Sequence, residues 1–472
     1  MKPLLLSLIF ALAVTNAPAQ AFMGLYGTDN NATLVRENPA FAVHEDRTQI
    51  TFSSFGAEVG GNTILFKKSI FSFLFTGKAE MDKDYFRNQN DKPSRFFWAN
   101  MEYCGPGVSF RVKKRYFFAI NSGMRYLVNS DNLDRGVADL LGVHALNNGD
   151  SQGNHNIKNY ALTGQVFSEL NLSYAGFLYE STNDEYKLIG GATVKLLNGI
   201  AAAGIGIPSA SFKTYNNDGI AYDVQGTANV AFTPNAQKWA LTNSPLRALT
   251  AATNNIGVGA DVGLIYYMNP NETIVPKGGY VSRFSASVTD IGSISYSSSA
   301  TSGSYSVNDT NINYRGLRNI EKQTFGTRIF NDFVGDSLAS PSGSIKKIKV
   351  YLPTALHLNA DFKIESRFFL NANLLLNLRK ASADYYSNHY VSTLTVTPRY
   401  AIKNFSVSMP FSFNDQMQGY LGAIVCYGPV FIGSGSLFQI AASNSINNIN
   451  FFMGAQMRLR PKKQKVKDMM MM

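Results

Sequence analysis

The chain has 472 residues, a formal net charge of +11 and only 16% charged residues, with 24 Tyr and 33 Phe against two Trp. So many aromatics with so little charge disfavour a soluble domain of this size, and bases scattered along the chain disfavour a nucleic-acid-binding face. Beyond the first residues no apolar run approaches the roughly 20 residues of a membrane helix, so a membrane crossing has to be made by strands.

Met1 and Lys2 give a positive start, Leu4 to Val14 is apolar except for Ser7, and Ala17-Pro18-Ala19 and Ala19-Gln20-Ala21 offer small-x-small cleavage sites. Residues 1–21 are therefore expected to be a cleaved signal peptide, too short to anchor the chain and without a nearby cysteine for lipidation. Residues 22–62 form an N-terminal segment, a candidate plug carrying Asn38, Pro39 and Ala40; Gln49 to Val59 within it is strand-like but stands outside the strand count.

From residue 63 to 460 the chain reads as a wall of alternating strands. Tyr116, Phe118, Ile120, Met124, Tyr126 and Val128 alternate with Ala119, Asn121, Gly123 and Arg125. Phe368 to Leu378, Phe405 to Phe413 and Ile449 to Leu459 repeat the pattern, giving ribbons with one greasy and one polar face. Their length suits a tilted bilayer crossing rather than a sandwich strand of about 5–6 residues. Strands are expected near 63–76, 100–113, 115–128, 159–179, 186–198, 254–268 and 279–294, and then near 347–364, 366–379, 389–401, 404–412, 417–427, 429–437 and 449–460. Short turns and long Gly/Ser/Asn-rich loops alternate between them, as in outer-membrane barrels. The fold class is all-β: a transmembrane antiparallel up-and-down barrel of about 14 strands, its N-terminal segment a candidate occupant of the lumen.

Within the long loops, Asp131 to Leu141 reads as a short capped helix, with weaker helix candidates at Met81 to Arg87 and Thr327 to Leu338. Ala210 to Tyr215 and Tyr222 to Phe232 suit an extra hairpin. Residues 461–472 form a basic tail that is expected to be disordered and periplasmic. Cys104 and Cys426, placed by this topology near opposite ends of the wall, are expected to be free thiols.

The polar strand positions are the candidate lumen lining: Arg125, His357, Asn359, Asp361, Asn371, Asn373, Asn377, Arg379, Arg399, Gln456 and Arg458. Arginines there either concentrate anionic solutes, or serve structure by pairing with carboxylates such as Asp361 or holding a plug in place; the structural reading is preferred. Catalysis finds little support. Of His44, His144, His155, His357 and His389 only His357 is mid-strand, Gly257 to Gly263 is followed by no helix, and no metal-ligand spacing occurs. No cofactor and no enzymatic activity are expected.

Arg111 to Phe117, Ile189 to Gly199, Ser287-Val288-Thr289-Asp290-Ile291-Gly292 and Gly428 to Gly435 resemble a family of uncharacterised Bacteroidota outer-membrane proteins. Asn38-Pro39-Ala40 is similar to a motif of the FadL fatty-acid transporter group and its type IX secretion relative PorV. The resemblance implies fourteen strands, an N-terminal segment tucked into the barrel, and residence in a Gram-negative outer membrane in contact with its lipid. It implies no activity. Two functions stay open: a passive channel for small hydrophobic or anionic molecules, or a barrel that docks envelope or secretion-system proteins.

Overall fold

The computed structural model describes residues 25, 32–43, 48–69, 85–87, 94–113, 115–134, 153–182, 185–214, 221–236, 254–268, 280–300, 302–313, 341–402, 404–415 and 418–459. The expected signal peptide, the Thr327 helix candidate and the basic tail lie outside them.

Fourteen antiparallel wall strands close into a barrel. They are β1 (Thr48–Gly61), β2 (Ser94–Lys113), β3 (Tyr116–Asp134), β4 (Gly153–Glu180), β5 (Tyr186–Thr214), β6 (Asn255–Met268) and β7 (Ser282–Ser297). The second half comprises β8 (Lys347–Tyr351 continued by Ala355–Lys363), β9 (Phe368–Asn377), β10 (Thr393–Ile402), β11 (Phe405–Ser408 with Phe411–Asn414), β12 (Gly419–Leu421 with Ala423–Tyr427), β13 (Val430–Ser434) and β14 (Asn448–Leu459). Closure is made by β1, which pairs with β14 on one side and β2 on the other. The breaks in β8 and β11 fall at Pro353 and Pro410, which have no N–H to give to the ladder.

Period-two patterning sorts the side chains cleanly. Leu170, Leu172, Tyr174, Val194, Leu196, Val258, Val262, Leu264, Leu358 and Leu370 are exposed on the outer face, whereas Asn171, Ser173, Thr193, Lys195, Asp261, His357, Asn359 and Asn371 are buried. Near the short turns, cross-strand aromatic pairs ring the outside: Tyr116–Tyr174, Tyr186–Tyr266, Phe284–Phe362 and Phe368–Tyr400, with centroids 6.2, 6.0, 5.5 and 4.8 Å apart. An aromatic girdle of this kind marks a membrane interface.

Several expectations need correction. The wall begins at β1, inside the segment 22–62 assigned to a plug, and not at residues 63–76. Ile64–Phe66 instead pairs with Tyr85–Arg87 in a small separate sheet, so the described end of the helix expected at Met81 to Arg87 is strand; the rest of it lies outside the described residues. The predicted helix from Asp131 begins as strand, because β3 runs on to Asp134; the rest of it lies outside the described residues. Cys104 and Cys426 are free but not remote from one another. Closure brings both onto one apolar cluster with Ile424, Phe431 and Phe452. The extra hairpin is present and larger than expected: Ala221–Phe232 pairs with the extended end of β5 and with Gly303–Asn313.

Candidate functional site: a tethered plug in a charged lumen

Two 3-10 turns, Ala32–Arg36 and Pro39–Ala42, lie inside the wall. Pro39 opens the second turn, where a missing N–H costs nothing, and Asn38 caps it with Oδ1 accepting from the Ala40 N–H at 3.0 Å. The same side chain turns its amide outward and donates to the wall carbonyls of Leu264 (3.1 Å) and Ala286 (3.3 Å). One asparagine thus shapes the plug and fastens it to β6 and β7. Ser109 donates to the Ala42 carbonyl and Ser287 to the Glu37 carbonyl, at 3.1 and 2.6 Å. Leu25 and Leu34 pack with Phe431 and Phe452, while Val35 and Ala42 pack with Ala119 and Ala175. Losing the cap and both wall bonds, Asn38→Ala is expected to weaken seating by about 1–3 kcal/mol. The readout is faster tryptic cleavage after Arg36 in the folded barrel; an unchanged rate contradicts the tether.

Room for the plug comes from missing side chains. A Cβ on Gly191 would run into the backbone at Pro39 and Ala40, and one on Gly263 into the Asn38 side chain. Only glycine permits that approach.

Charge holds the rest. Arg36 reaches Glu169 and Glu102, the latter at 2.5 Å. Arg125 binds Asp290 at 2.7 Å, and Lys195 bridges Asp261 at 2.9 Å and Asp290 at 2.6 Å. Asp290 also accepts from the Tyr390 hydroxyl at 3.0 Å. Its position results from a bulge: pairing with β6 shifts register between Val288 and Ile291, and Asp290 takes φ of +58°. Thr289 and Asp290 therefore both point inward, against the strand alternation.

Tyr390 belongs to a second intruding segment, the 378–392 connection from the long-loop end. Tyr386–Ser387 pairs in parallel with Val350–Tyr351, and the fully buried Asn388 donates to Asn129 Oδ1 (2.9 Å) and the Thr163 carbonyl (3.0 Å). Around it lies an apolar cluster that includes Leu127, Phe167, Tyr296, Val350 and Leu352.

The other expected lining residues fall as follows. Asp361 gathers Tyr280, Arg283 (3.2 Å) and Arg399 (3.4 Å), and Arg283 also lies over the ring of Phe41 in the plug. Asn359 and Asn371 exchange amide bonds at 3.0 and 3.2 Å, with Asn373 half-buried beside them. His357 Nε2 meets Thr289 Oγ1 at 3.0 Å and its Nδ1 lies 3.4 Å from the Glu37 carboxylate. That order imitates a hydrolytic triad. Yet Thr289 is 3% exposed and neither described cavity reaches it or His357, so the arrangement ties plug to wall. Asn377 and Arg379 are not on the lumen wall proper but at the long-loop rim, where Asn377 binds the backbone of Arg379. Gln456 is half-buried on β14, and the Arg458 side chain lies outside the described residues. Among the described residues, no cluster of His, Cys, Asp and Glu is arranged to hold a metal ion.

The sequence reading missed Glu102, Glu169, Lys195, Asp261 and Asp290. Glu102, Glu169, Lys195 and Asp261 sit on inward strand positions that alternation could have flagged. Asp290 could not be found that way, because the bulge breaks the alternation around it.

On the outer face of the same patch, Gly176, Gly190, Ala192 and Ala286 leave a groove of about 500 Å³ between Tyr116, Tyr174, Leu178, Val262 and Leu264. Here the wall is little more than backbone, with the Asn38-Pro39-Ala40 turn directly behind Gly191 and Gly263.

Several solved structures resemble this fold at low identity. The Ralstonia pickettii toluene transporter TbuX matches at 11% identity over 91% of this chain and 94% of that one, with a TM-score of 0.40. The Pseudomonas putida toluene transporter TodX matches at 11% over 93% and 96%, TM-score 0.32. A Pseudomonas aeruginosa FadL homologue matches at 9% over 93% and 98%, TM-score 0.27. No curated protein sequence matches. Residues 39–435, from the plug through β13, match one sequence family, and the chain belongs to it: the Family of unknown function (DUF5723).

Proposed function

We propose that this barrel, exported by its leader and seated in the outer membrane with its short turns toward the periplasm, passes small hydrophobic molecules between its interior and the surrounding lipid. The observation that carries this reading is the thin wall patch. An apolar groove open to lipid lies on one side of Gly190-Gly191 and Gly263, and a tethered turn lies on the other. An apolar solute in the groove is already out of water, so its next step inward needs the paired strands to part at these glycines and the plug turn behind them to withdraw. The ion pairing of Arg125 and Arg399 with carboxylates argues against a basic pore for anions.

The test is uptake of oleate and toluene by proteoliposomes. Gly190→Phe directs a ring into the groove, where the three atoms nearest its Cβ all belong to the flexible, exposed side chain of Leu178. Uptake is expected to fall by roughly an order of magnitude, because the solute loses its apolar seat, while the folded band in gels is unchanged. Equal uptake by the variant, or none by the wild type, sinks the proposal. A fixed protein partner captured by crosslinking in membranes, together with no uptake, favours the docking reading instead.

A further inference from the structure

A second cavity, of about 300 Å³ and polar, opens at the long-loop end between the ends of β2 and β3 and the intruding 378–392 segment. It is unconnected with the apolar groove, and its cations are arranged differently from those of the lumen. Arg379 has Nε on Thr354 Oγ1 at 3.3 Å and its guanidinium 4.6 Å over the Tyr351 ring, which fixes the plane of the group. Lys380 is exposed beside it. Among the described residues, no carboxylate pairs with the terminal nitrogens of Arg379 or with the Lys380 ammonium, whereas Arg36, Arg125, Lys195 and Arg399 all have carboxylate partners.

His389 adds a third cation but spends it internally. Nδ1 faces the Tyr390 carbonyl at 3.0 Å and Nε2 faces Asp131 at 2.8 Å, so both nitrogens have acceptors and the ring is best satisfied as imidazolium. Burial opposes that charge, but the Asp131 carboxylate outweighs it and raises the histidine above its ordinary range. With Asp131 thus neutralised, Asp415, which also acts on His389, is the one remaining carboxylate among the described lining residues against Arg379 and Lys380, and the cavity keeps an uncompensated positive charge. Asp415 and Asn132, both exposed, supply acceptors suited to hydroxyl groups, and the half-buried Phe96, stacked on the buried Trp98 with centroids 5.7 Å apart, gives an aromatic side.

We infer that this mouth cavity binds a small hydroxylated organic anion, a carboxylate or phosphate ester of about monosaccharide size, with Arg379 and Lys380 on its charged group. Guanidinium and ammonium groups held ready and unpaired are the side chains that recognise such oxyanions.

Trp98, which is 1% exposed and stacks on Phe96 at the cavity, reports binding through its altered surroundings once Trp239, the other indole, is replaced by Phe. The purified full-length barrel is titrated with glucuronate, glucose 6-phosphate and glucose, and separately with micelles containing lipid A. A saturable fluorescence change with either sugar anion but not glucose is expected, weakened roughly tenfold or more in Arg379→Gln/Lys380→Gln through loss of charge-assisted bonds. Lys380→Gln alone, at an exposed side chain, guards against a folding artefact and is expected to show part of that loss. No saturable response to either anion, equal response to glucose, equal binding by the double variant, or a response to lipid A alone overturns the assignment.

Discussion

Asp290→Asn is expected to cost the barrel roughly 3–5 kcal/mol, the penalty for stripping the counter-charge from buried cations. Asparagine keeps the shape of the side chain and tolerates the left-handed backbone at φ +58°, so the substitution isolates the charge. Arg125 keeps only longer contacts, at 3.6 Å to Glu102 and 3.5 Å to Glu169, and Lys195 keeps Asp261. Tyr390 loses a charged acceptor, which frees the tip of the intruding segment. Asp290→Ala should be worse by a further ~1 kcal/mol, because alanine pays for the backbone conformation as well. Urea unfolding in detergent, followed by the shift between folded and unfolded gel bands, measures both. A midpoint for Asp290→Asn equal to wild type would mean that the network does not hold the lumen together.

Much of this architecture can be read from alternation alone, because a lipid-facing strand has to be apolar at every second residue. Phe405 to Phe413 and Ile449 to Leu459 fall where period two puts them. The misreadings share a physical cause. In β1 the register shifts between Thr51 and Ser53: Thr51 and Ser54 both point inward while Phe52 is 49% exposed, so strict parity fails across the strand. Discounting β1 while counting residues 63–76 left the total at fourteen through two compensating errors. At Thr289-Asp290 the same device hides the hub of the lumen. A bulge moves one residue to the other face, and a parity argument cannot see it without its partner strand. Arg379 illustrates the opposite limit. Its parity matched the lumen face, but β9 ends at Asn377, so the guanidinium serves the rim rather than the wall.

Seating of the plug is expected to weaken as pH rises from about 4.5 towards about 8, because Glu37 sits there with its carboxyl pushed up to about 8. Burial is the main cause. Glu102 and Asp290 add repulsion, while Arg125 and Arg36 oppose it without prevailing. His357, 3.4 Å from the carboxylate, and Tyr390 are further titratable groups facing it. The carboxyl keeps its proton more readily inside the barrel than in water, so the seated state is favoured most below the ordinary carboxylate range. That advantage is lost as pH climbs through the raised value, by at most about tenfold in the seating equilibrium per pH unit. About a quarter of the side chain (24%) is open to the lumen, so the realised effect falls below that ceiling. Tryptic cleavage after Arg36 reads the unseated fraction, and Glu37→Gln provides the comparison in which the protease's own pH response cancels. The ratio of wild-type to Glu37→Gln rates should climb between pH 6 and 9; a flat ratio would show that the plug does not sense this proton. Asn38 remains fastened to the Leu264 and Ala286 carbonyls at any pH. Combining Asn38→Ala with high pH should therefore release the plug further than either change alone.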